Sequence, residues 1–224
     1  MRFLLAMLIW ISASMAQAGA WPREEGTFFI SLSADQTGSQ LYAEYGMPHD
    51  WTLGVEVVMP NGRRLPDVIS FVRHPVWRWS GGAILSAGLA VELREAQAAA
   101  VVPELDGIGE IAVRAGLSWG KGFSTGLGNA WASVDAQLER VVTEEILGQD
   151  SAVKLDATFG LRPLNRLMLM IQAQGWQRKG GDATLRMETS VAWKLGPAQF
   201  VASPSIGVIG ASDPRLKLGV WLDF

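Results

Sequence analysis

The feature that most constrains this chain is a period-two alternation of apolar and polar residues, which recurs in long runs. The final run has one apolar phase and one mostly polar phase. The apolar phase is Leu216, Leu218, Val220, Leu222 and Phe224, and the other is Arg215, Lys217, Gly219, Trp221 and Asp223. The same split recurs at 109–119, 151–162 and 185–195. Because side chains alternate between the two faces of a strand, each run predicts a strand with one apolar face.

Turn residues between these runs predict about twelve strands, within a range of about 10 to 14. The predicted strands are 26–34, 39–47, 51–60, 67–77, 81–93, 107–119, 128–142, 151–162, 166–178, 183–195, 198–210 and 214–224. Neither a linker nor a block of charge interrupts the pattern, so a single domain is expected over 19–224.

Both soluble β-sandwiches or lipocalin-like barrels and membrane barrels alternate in this way. Most predicted strands reach the 9–11 residues that cross a bilayer at a tilt, whereas ordinary strands average about five or six. The connections also alternate in length. Tight connections are predicted at 47–50, 79–81, 163–166 and 196–197, long ones at 95–106 and 143–150, and a less tidy short one at 120–127. Short turns at one end and longer loops at the other favour a membrane barrel.

Aromatic residues collect near one end of the predicted strands. They are Trp51, Trp77, Trp119, Trp131, Trp193, Phe200, Trp221 and Phe224. An aromatic belt at the membrane interface explains this register, with the termini on the periplasmic side. Trp131 and Trp221 fall on the polar phase and are therefore expected at the mouth of the lumen. The sequence predicts an all-β, transmembrane, antiparallel up-and-down β-barrel.

The first residues have the order of a secretory signal peptide. Positive charge at Met1 and Arg2 precedes the apolar run 3–11, which is too short to span a bilayer. Ala16-Gln17-Ala18 then supplies a small-residue cleavage motif, and Ala18-Gly19-Ala20 is the second choice. We expect residues 1–18 to be a signal peptide, with 1–20 as the alternative.

Composition excludes several classes of function. Hydrophobic residues make up 49% and charged residues 18%, which is not the composition of a disordered chain. The net charge of −3 argues against nucleic acid as a partner. Without Cys there is no disulfide, thiolate ligand or Cys nucleophile, and two His make a histidine metal site improbable. No cofactor and no metal are expected.

The closing run Leu216–Phe224 resembles the last strand of Gram-negative outer-membrane proteins, which end in an aromatic residue, usually Phe. The resemblance implies an outer-membrane location, with membrane lipid and the barrel assembly machinery as partners. The assembly signal would be Leu216, Leu218, Val220, Leu222 and Phe224. The segments 41–46 and 51–54 also resemble the early hairpin of small proteobacterial barrels described as candidate transporters.

Charged residues on the polar phase are the expected lining of the lumen. Predicted strands two to seven contribute a mostly acidic set: Glu44, Glu56, Glu92, Arg94, Glu110, Arg114, Asp135 and Glu139. Predicted strands eight to twelve contribute a more basic set: Lys154, Asp156, Arg162, Arg186, Glu188, Lys194, Arg215, Lys217 and Asp223. The two walls predict either a transverse field across a narrow pore or a salt-bridge network that plugs the barrel. The interior of an eight-stranded barrel is filled by side chains, whereas a barrel of sixteen strands encloses an aqueous channel. A barrel of about twelve strands lies between these cases, so the strand number does not decide whether the lumen is open or plugged.

An enzyme is the less favoured hypothesis. His49 falls in a predicted turn, and His74 lies about 13 Å along its strand from Ser70, too far for a dyad. A cross-strand partner for His74 stays open, because the phase of its strand is ambiguous and Pro75 predicts a bulge.

Two other groups of residues have structural explanations. Met168 and Met170 share a face and are read as packing rather than as soft-metal ligands. The glycines at 120, 122, 126 and 128 are read as turn residues rather than as a phosphate loop.

The favoured function is a narrow channel or transporter that passes small polar solutes by passive diffusion. A closed structural barrel, or one whose loops 95–106 and 143–150 bind a partner, is the alternative, and a lipid-modifying hydrolase ranks third. Pairing of Arg114, Arg186 and Arg215 across the axis with Glu44, Glu56 or Glu110 would favour the closed barrel.

Overall fold

The computed structural model describes residues 19–95, 109–142, 151–210 and 213–224. They form twelve antiparallel strands in a closed barrel, in which each strand pairs with its sequence neighbours. The strands are β1 Phe28–Asp35, β2 Gly38–Gly46, β3 Thr52–Pro60, β4 Asp67–Arg78, β5 Ala83–Glu95, β6 Gly109–Thr125, β7 Gly128–Val141, β8 Ser151–Leu164, β9 Leu167–Arg178, β10 Ala183–Leu195, β11 Ala198–Ile209 and β12 Arg215–Asp223. Pairing of β1 with β12 closes the sheet and removes its edges. The predicted fold class is confirmed.

The connections differ at the two ends of the barrel. We call the end that holds Phe28 and Phe224 the terminal end, and its turns are 47–51, 79–82, 126–127, 165–166 and 196–197. At the opposite, loop end, the connections include 36–37, 61–66 and 179–182. Most of the predicted long loop 95–106 and all of 143–150 lie outside the described residues. Within the described residues, no helix is long and apolar enough to cross a membrane.

One predicted turn is wrong. The segment 120–127 was expected to be a connection, but β6 continues to Thr125 and only 126–127 turns. Gly120 and Gly122 are therefore strand residues. Gly120 lies on the inner face, where a side chain would collide with the ring of Trp21. The need for space, not for a turn, explains this glycine.

Strand β4 has a defined phase and an irregularity where Pro75 predicted one. Its register shifts between Pro75 and Trp77, which confirms the predicted bulge. Ile69 is buried while Ser70 is exposed, so Ile69, Phe71 and Arg73 face inward and His74 faces outward. The sequence pattern left this phase open because Ile69 and Phe71 are apolar although they face inward, beside the apolar outward residues Val68 and Val72.

The outer surface is apolar along the whole barrel. Leu89, Leu117, Leu138, Leu155, Val191 and Leu218 are among its exposed side chains. Alternate residues on the same strands point inward and are mostly polar. An apolar exterior around a polar interior is the arrangement of a barrel in a bilayer, not that of a soluble barrel.

Aromatic side chains surround the terminal end on the outer surface. Trp51, Trp193 and Phe200 are exposed there, and Trp77 is 60% exposed. Trp131 instead is only 3% exposed and lies in the lumen, where Trp221 packs beside it. Both positions agree with the prediction made from their phase. The outer rings form the kind of belt that sits at a membrane interface.

Candidate functional site in the barrel lumen

The middle of the lumen holds a cavity of about 530 Å³ with a largely polar wall. Hydroxyl and amide side chains from eight strands line it: Ser31, Ser33, Gln40, Ser118, Gln137, Thr158, Gln172, Gln174, Ser190 and Ser203. They lie inside because polar residues occupy every second position of these strands. Such groups can replace the hydrogen bonds of a hydrated solute without binding it permanently.

Charged side chains of both signs also line this central cavity. The anions are Glu56, Asp135, Asp156 and Glu188, and the cations are Arg73, Arg114, Lys154 and Lys217. Lys154 lies 3.1 Å from Asp156, and Lys217 lies 2.9 Å from Glu188. The central cavity therefore has four formal charges of each sign and no net formal charge.

A second cavity of about 290 Å³ lies toward the loop end. Its ionic lining is Glu56, Asp67, Glu92 and Glu139 against Arg114 and Lys154. Four carboxylates against two cations leave the lining of this outer cavity formally acidic, and Arg94 behind the wall compensates Glu92 and Glu139 in part. Trp176 adds an aromatic face to its wall.

An ion-pair network supports the wall of the outer cavity. Arg94 is 5% exposed and lies 2.7 Å from Glu139, 2.9 Å from Glu110 and 3.2 Å from Glu92. Arg114 lies 2.6 Å from Glu92 and 2.9 Å from Glu139. These residues belong to β5, β6 and β7, which are neighbours in the sheet. The network thus links these three strands along one wall of the barrel. Charge-assisted hydrogen bonds satisfy the buried guanidinium of Arg94.

The arginines expected to bridge the lumen pair elsewhere. Arg114 pairs within its own wall, and both Arg186 and Arg215 pair with Asp213 in the turn after β11. Within the described residues, the ion-pair partners of these three arginines therefore lie on the same wall of the barrel or in a turn. They do not form the cross-axis plug, so the expected signature of a closed barrel is missing.

Two predicted lumen residues, Arg162 and Lys194, belong neither to the two cavities nor to the ion-pair networks of the lumen wall. Arg162 shares the inner phase of β8 at the terminal end and is partly buried. Lys194 has the inner phase of β10 but is exposed at the rim of the same end. Each of the remaining members of the predicted lining either faces one of the two cavities or forms an ion pair with a neighbouring side chain.

A segment that no sequence pattern predicts enters the barrel at its terminal end. We call residues 19–23 the N-terminal segment. The hydroxyl of Ser86 donates to the carbonyl of Ala20, and the Arg23 amide donates to Thr52 Oγ1 at 2.9 Å. Since these partners lie on the inner face of the barrel, the segment occupies the mouth of the lumen.

Ion pairs hold the segment on two further strands. Arg23 lies 3.4 Å from Glu44 and 2.9 Å from Asp223. Arg73 donates to Glu44 at 2.8 Å and to the Trp21 carbonyl at 3.3 Å. Glu44 was predicted to line the lumen, and here it ties the segment to β2 and β4.

The same mouth contains an apolar cluster. Trp131, Met168, Ala192 and Val201 form its buried part, and Trp21, Met170 and Trp221 pack against it. The two methionines are packing residues, as the sequence analysis expected. Together with the N-terminal segment, this cluster narrows the terminal end of the lumen.

The residues that sequence reasoning missed carried weak signals. Arg73 and Asp67 belong to β4, whose phase is obscured by apolar residues on both faces at 68–72. Trp21 and Arg23 lie in a stretch without periodicity, which predicts no element. The inward glycines Gly120 and Gly160 were a usable signal, because each makes room for a tryptophan ring.

His74 lies in the outer aromatic belt, not in the lumen. Its ring stacks on Trp51 with centroids 4.5 Å apart. Its Nδ1 is buried without a hydrogen-bond partner among the described residues. This setting gives the hydrolase hypothesis no positive support. His49 is an exposed turn residue with φ of 60°.

Solved structures with this barrel fold are found, although no family model and no curated protein match the sequence. The NanC porin has a TM-score of 0.63 at 9% identity, over 87% of this chain and 98% of that chain. The KdgM porin has a TM-score of 0.60 at 10% identity, over 88% of this chain and 99% of that chain. The β domain of the Bordetella autotransporter BrkA has a TM-score of 0.50 at 12% identity, over 92% and 99%. The chain therefore has the porin-like fold of an outer-membrane β-barrel protein.

Proposed function

We propose that the protein is a narrow outer-membrane channel through which small polar solutes diffuse passively. The observation that carries this proposal is the cavity of about 530 Å³, lined by hydroxyl, amide and charged groups, inside a closed barrel. Its wall offers many weak partners in place of one strong site, which favours passage over retention. The porin-like fold supports the same conclusion.

From the acidic outer cavity we infer which charge of solute the channel favours. A solute that enters from the loop end first meets Glu56, Asp67, Glu92 and Glu139. Carboxylates around a constriction favour cations and disfavour anions. We therefore expect cationic, zwitterionic and neutral solutes to pass more readily than anions.

One structural neighbour contrasts with this expectation. The KdgM porin has been solved in complex with disordered oligogalacturonate, which is a polyanion. In the present chain the outer carboxylates would repel such a ligand. We propose that the shared fold serves a different class of solute here.

The location of the protein follows from the same proposal. Residues 1–18 would direct export, and the terminal end would face the periplasm. The apolar exterior would contact membrane lipid, and β12 would carry the signal read by the barrel assembly machinery.

Purified protein in planar bilayers tests the channel. We expect discrete current steps in KCl, and faster liposome swelling with neutral sugars and amino acids than with aromatic acids. Phe200→Ala changes an exposed side chain on the outer surface, so this control variant should conduct like the wild type. Absence of current at every voltage would overturn the channel.

The N-terminal segment supports a second candidate, a closed structural barrel. Residues 19–23 and the cluster around Trp131 narrow the mouth at the terminal end. In that case neither current nor swelling would be seen, although the protein would still migrate as a folded barrel on unheated gels.

A further inference from the structure

Two carboxylates stand side by side on the inner wall of β7 and β8. Asp135 and Asp156 are directly opposite each other in the strand register, and both face the central cavity. Like charges at such a position destabilise a sheet unless a cation compensates them. Lys154 approaches Asp156 Oδ2, Ser118 hydrogen-bonds Asp135, and the charges of Arg73 and Lys154 also act on Asp135. The other oxygen, Asp156 Oδ1, is buried without a hydrogen-bond partner among the described residues, and Asp156 is 8% exposed.

The N-terminal segment reaches this pair of carboxylates. A Cβ on Gly19 would lie 3.5 and 3.7 Å from the two Asp135 oxygens, and 3.7 Å from Ser133 Oγ. A nitrogen on the same Cα lies about 2.5 Å from that carbon, so it is within about 6 Å of the carboxylate. At this distance an opposite charge stabilises an ionised group.

Gly19 and Ala20, the first described residues, pack against the wall of the lumen. Gly19 is buried and Ala20 has no exposed surface. The Ala20 carbonyl accepts the hydrogen bond from Ser86, whose side chain is also fully buried. Cleavage after Ala20 would delete this acceptor and leave the Ser86 hydroxyl unsatisfied. Cleavage after Ala18 keeps both residues and places a new α-ammonium group beside Asp135.

We propose that Asp135 and Asp156 form a binding site for an ammonium group, and that its occupant is the α-amine of Gly19 released by cleavage after Ala18. The amine compensates the two carboxylates and latches the N-terminal segment into the mouth of the lumen. An ammonium suits the site, because its three N–H donors match ionised carboxylate oxygens, which can only accept hydrogen bonds. The inference does not depend on the channel activity.

The first test is the mass of the protein purified from outer membranes. We expect the mass of a chain that begins at Gly19. A chain that begins at Trp21, or one that retains residue 18, would overturn the proposal.

The second test compares the acetylation of amines in folded protein at neutral pH by mass spectrometry of peptides. A free α-amine normally reacts faster than a lysine, since its pKa is about 7.7–8.0 against about 10.4. We expect the reverse here: the amine of Gly19 should react more slowly than exposed Lys179. Faster reaction of Gly19 in the wild type would contradict the latch.

Variants complete the design. Asp135→Asn should release the Gly19 amine, so that its acetylation becomes faster than that of Lys179. Glu25→Gln removes an exposed carboxylate near the segment and should leave Gly19 protected. If Asp135→Asn does not fold, as judged by heat-modifiable migration, Asp156→Asn is used with the same expectation. A folded variant that leaves Gly19 protected would overturn the assignment, whereas loss of current alone would count only against the channel.

Discussion

Glycines on the inner face of the barrel determine where aromatic rings lie. Gly54 is paired with Phe71 and Gly160 with Trp131, and in both pairs the ring covers the glycine of the next strand. Such cover protects the strand backbone and compensates for the missing side chain. These glycines serve packing within the lumen, and a turn explains neither of them.

The pair Gly160–Trp131 gives a stability prediction. Gly160→Ala would push a methyl group into the indole of Trp131, and overpacking of this kind costs about 1–3 kcal/mol. The measurement is the free energy of unfolding in urea with the barrel in lipid vesicles. Gly126→Ala, in a turn with open space around it, is the control and should change little. Equal losses in the two variants would contradict the packing role.

Asp213 gives a prediction about pH. Its carboxylate accepts hydrogen bonds from Arg215 at 2.6 Å and from Arg186 at 2.9 Å. The hydrogen bond from Arg215 is the main cause that holds the pKa of Asp213 below its ordinary value. A lowered pKa in the folded state means that the clamp stabilises the fold above the ordinary pKa, and that this contribution is lost as pH falls through the lowered value.

We therefore expect the clamp to persist at neutral pH and to open only in strong acid. The titration of the Asp213 carboxyl carbon by NMR in micelles measures its pKa. Arg215→Gln should move that pKa upward toward the ordinary value, while Lys179→Gln, in another turn at the loop end, should not. An unchanged titration in Arg215→Gln would show that the ion pair is not formed in solution.

At the scale of elements, the closure of the barrel depends on the seam between β1 and β12. The Phe28 amide donates to the Phe224 carbonyl at 2.6 Å, and the Phe224 amide donates back to Phe28 at 3.0 Å. The pairing continues from Phe29 with Asp223 to Ala34 with Leu218. The N-terminal segment adds a second closure at the same end, through Arg23 and Asp223.

Phe224→Ala tests the proposed assembly signal in β12. Removal of the ring leaves the backbone pairs of the seam but removes the aromatic group that the assembly machinery is proposed to read. We expect a smaller fraction of protein in the outer membrane, measured by heat-modifiable migration on gels. Phe200→Ala removes another exposed aromatic from the same belt and should insert normally. Normal insertion of Phe224→Ala would count against the signal.

Trp21→Ala tests the narrowing of the terminal mouth. The indole packs against the cluster around Trp131 and over Gly120. Because pore width limits conduction, its removal should raise the single-channel conductance in planar bilayers. Trp193→Ala, on the outer surface, is the matched control. If both variants conduct like the wild type, the segment does not limit the pore.

At the scale of the whole molecule, polarity is inverted relative to a soluble protein and charge is unevenly distributed. The net charge is only −3, yet the outer cavity alone has four carboxylates against two cations. Side chains deep in the lumen are screened less by salt than those on an exposed surface. The uneven distribution, not the total, would then set the selectivity of the channel.

Ion selectivity measures this uneven distribution. In a KCl gradient we expect a reversal potential that favours K⁺ over Cl⁻. Glu56 lines both cavities, so Glu56→Gln should reduce the preference for K⁺, whereas Glu25→Gln, outside the lumen, should not. Preference for Cl⁻ in the wild type would contradict the proposed role of the outer carboxylates.

The sequence by itself determined the strands and their two faces, because a period of two is a local property that needs no partner. All twelve strands lie within a few residues of their predicted bounds, apart from the longer β6. The inner phase of Lys154, Asp156 and Lys217 followed from the same alternation. Strand β4 was the exception, since apolar residues occupy both of its faces at 68–72 and a bulge follows Pro75.

Only the tertiary structure decided which charges meet and what enters the lumen. Arg94 pairs with Glu139 because β5, β6 and β7 lie side by side at one height, and Arg186 finds Asp213 rather than an acid across the axis. Gly19 lies beside Asp135, although the two residues are far apart in the chain. The N-terminal segment that contains Gly19 has no periodic pattern from which this contact could be predicted. Such contacts depend on strand register and on closure of the sheet, which fix distances in space that the spacing of residues along the chain does not contain.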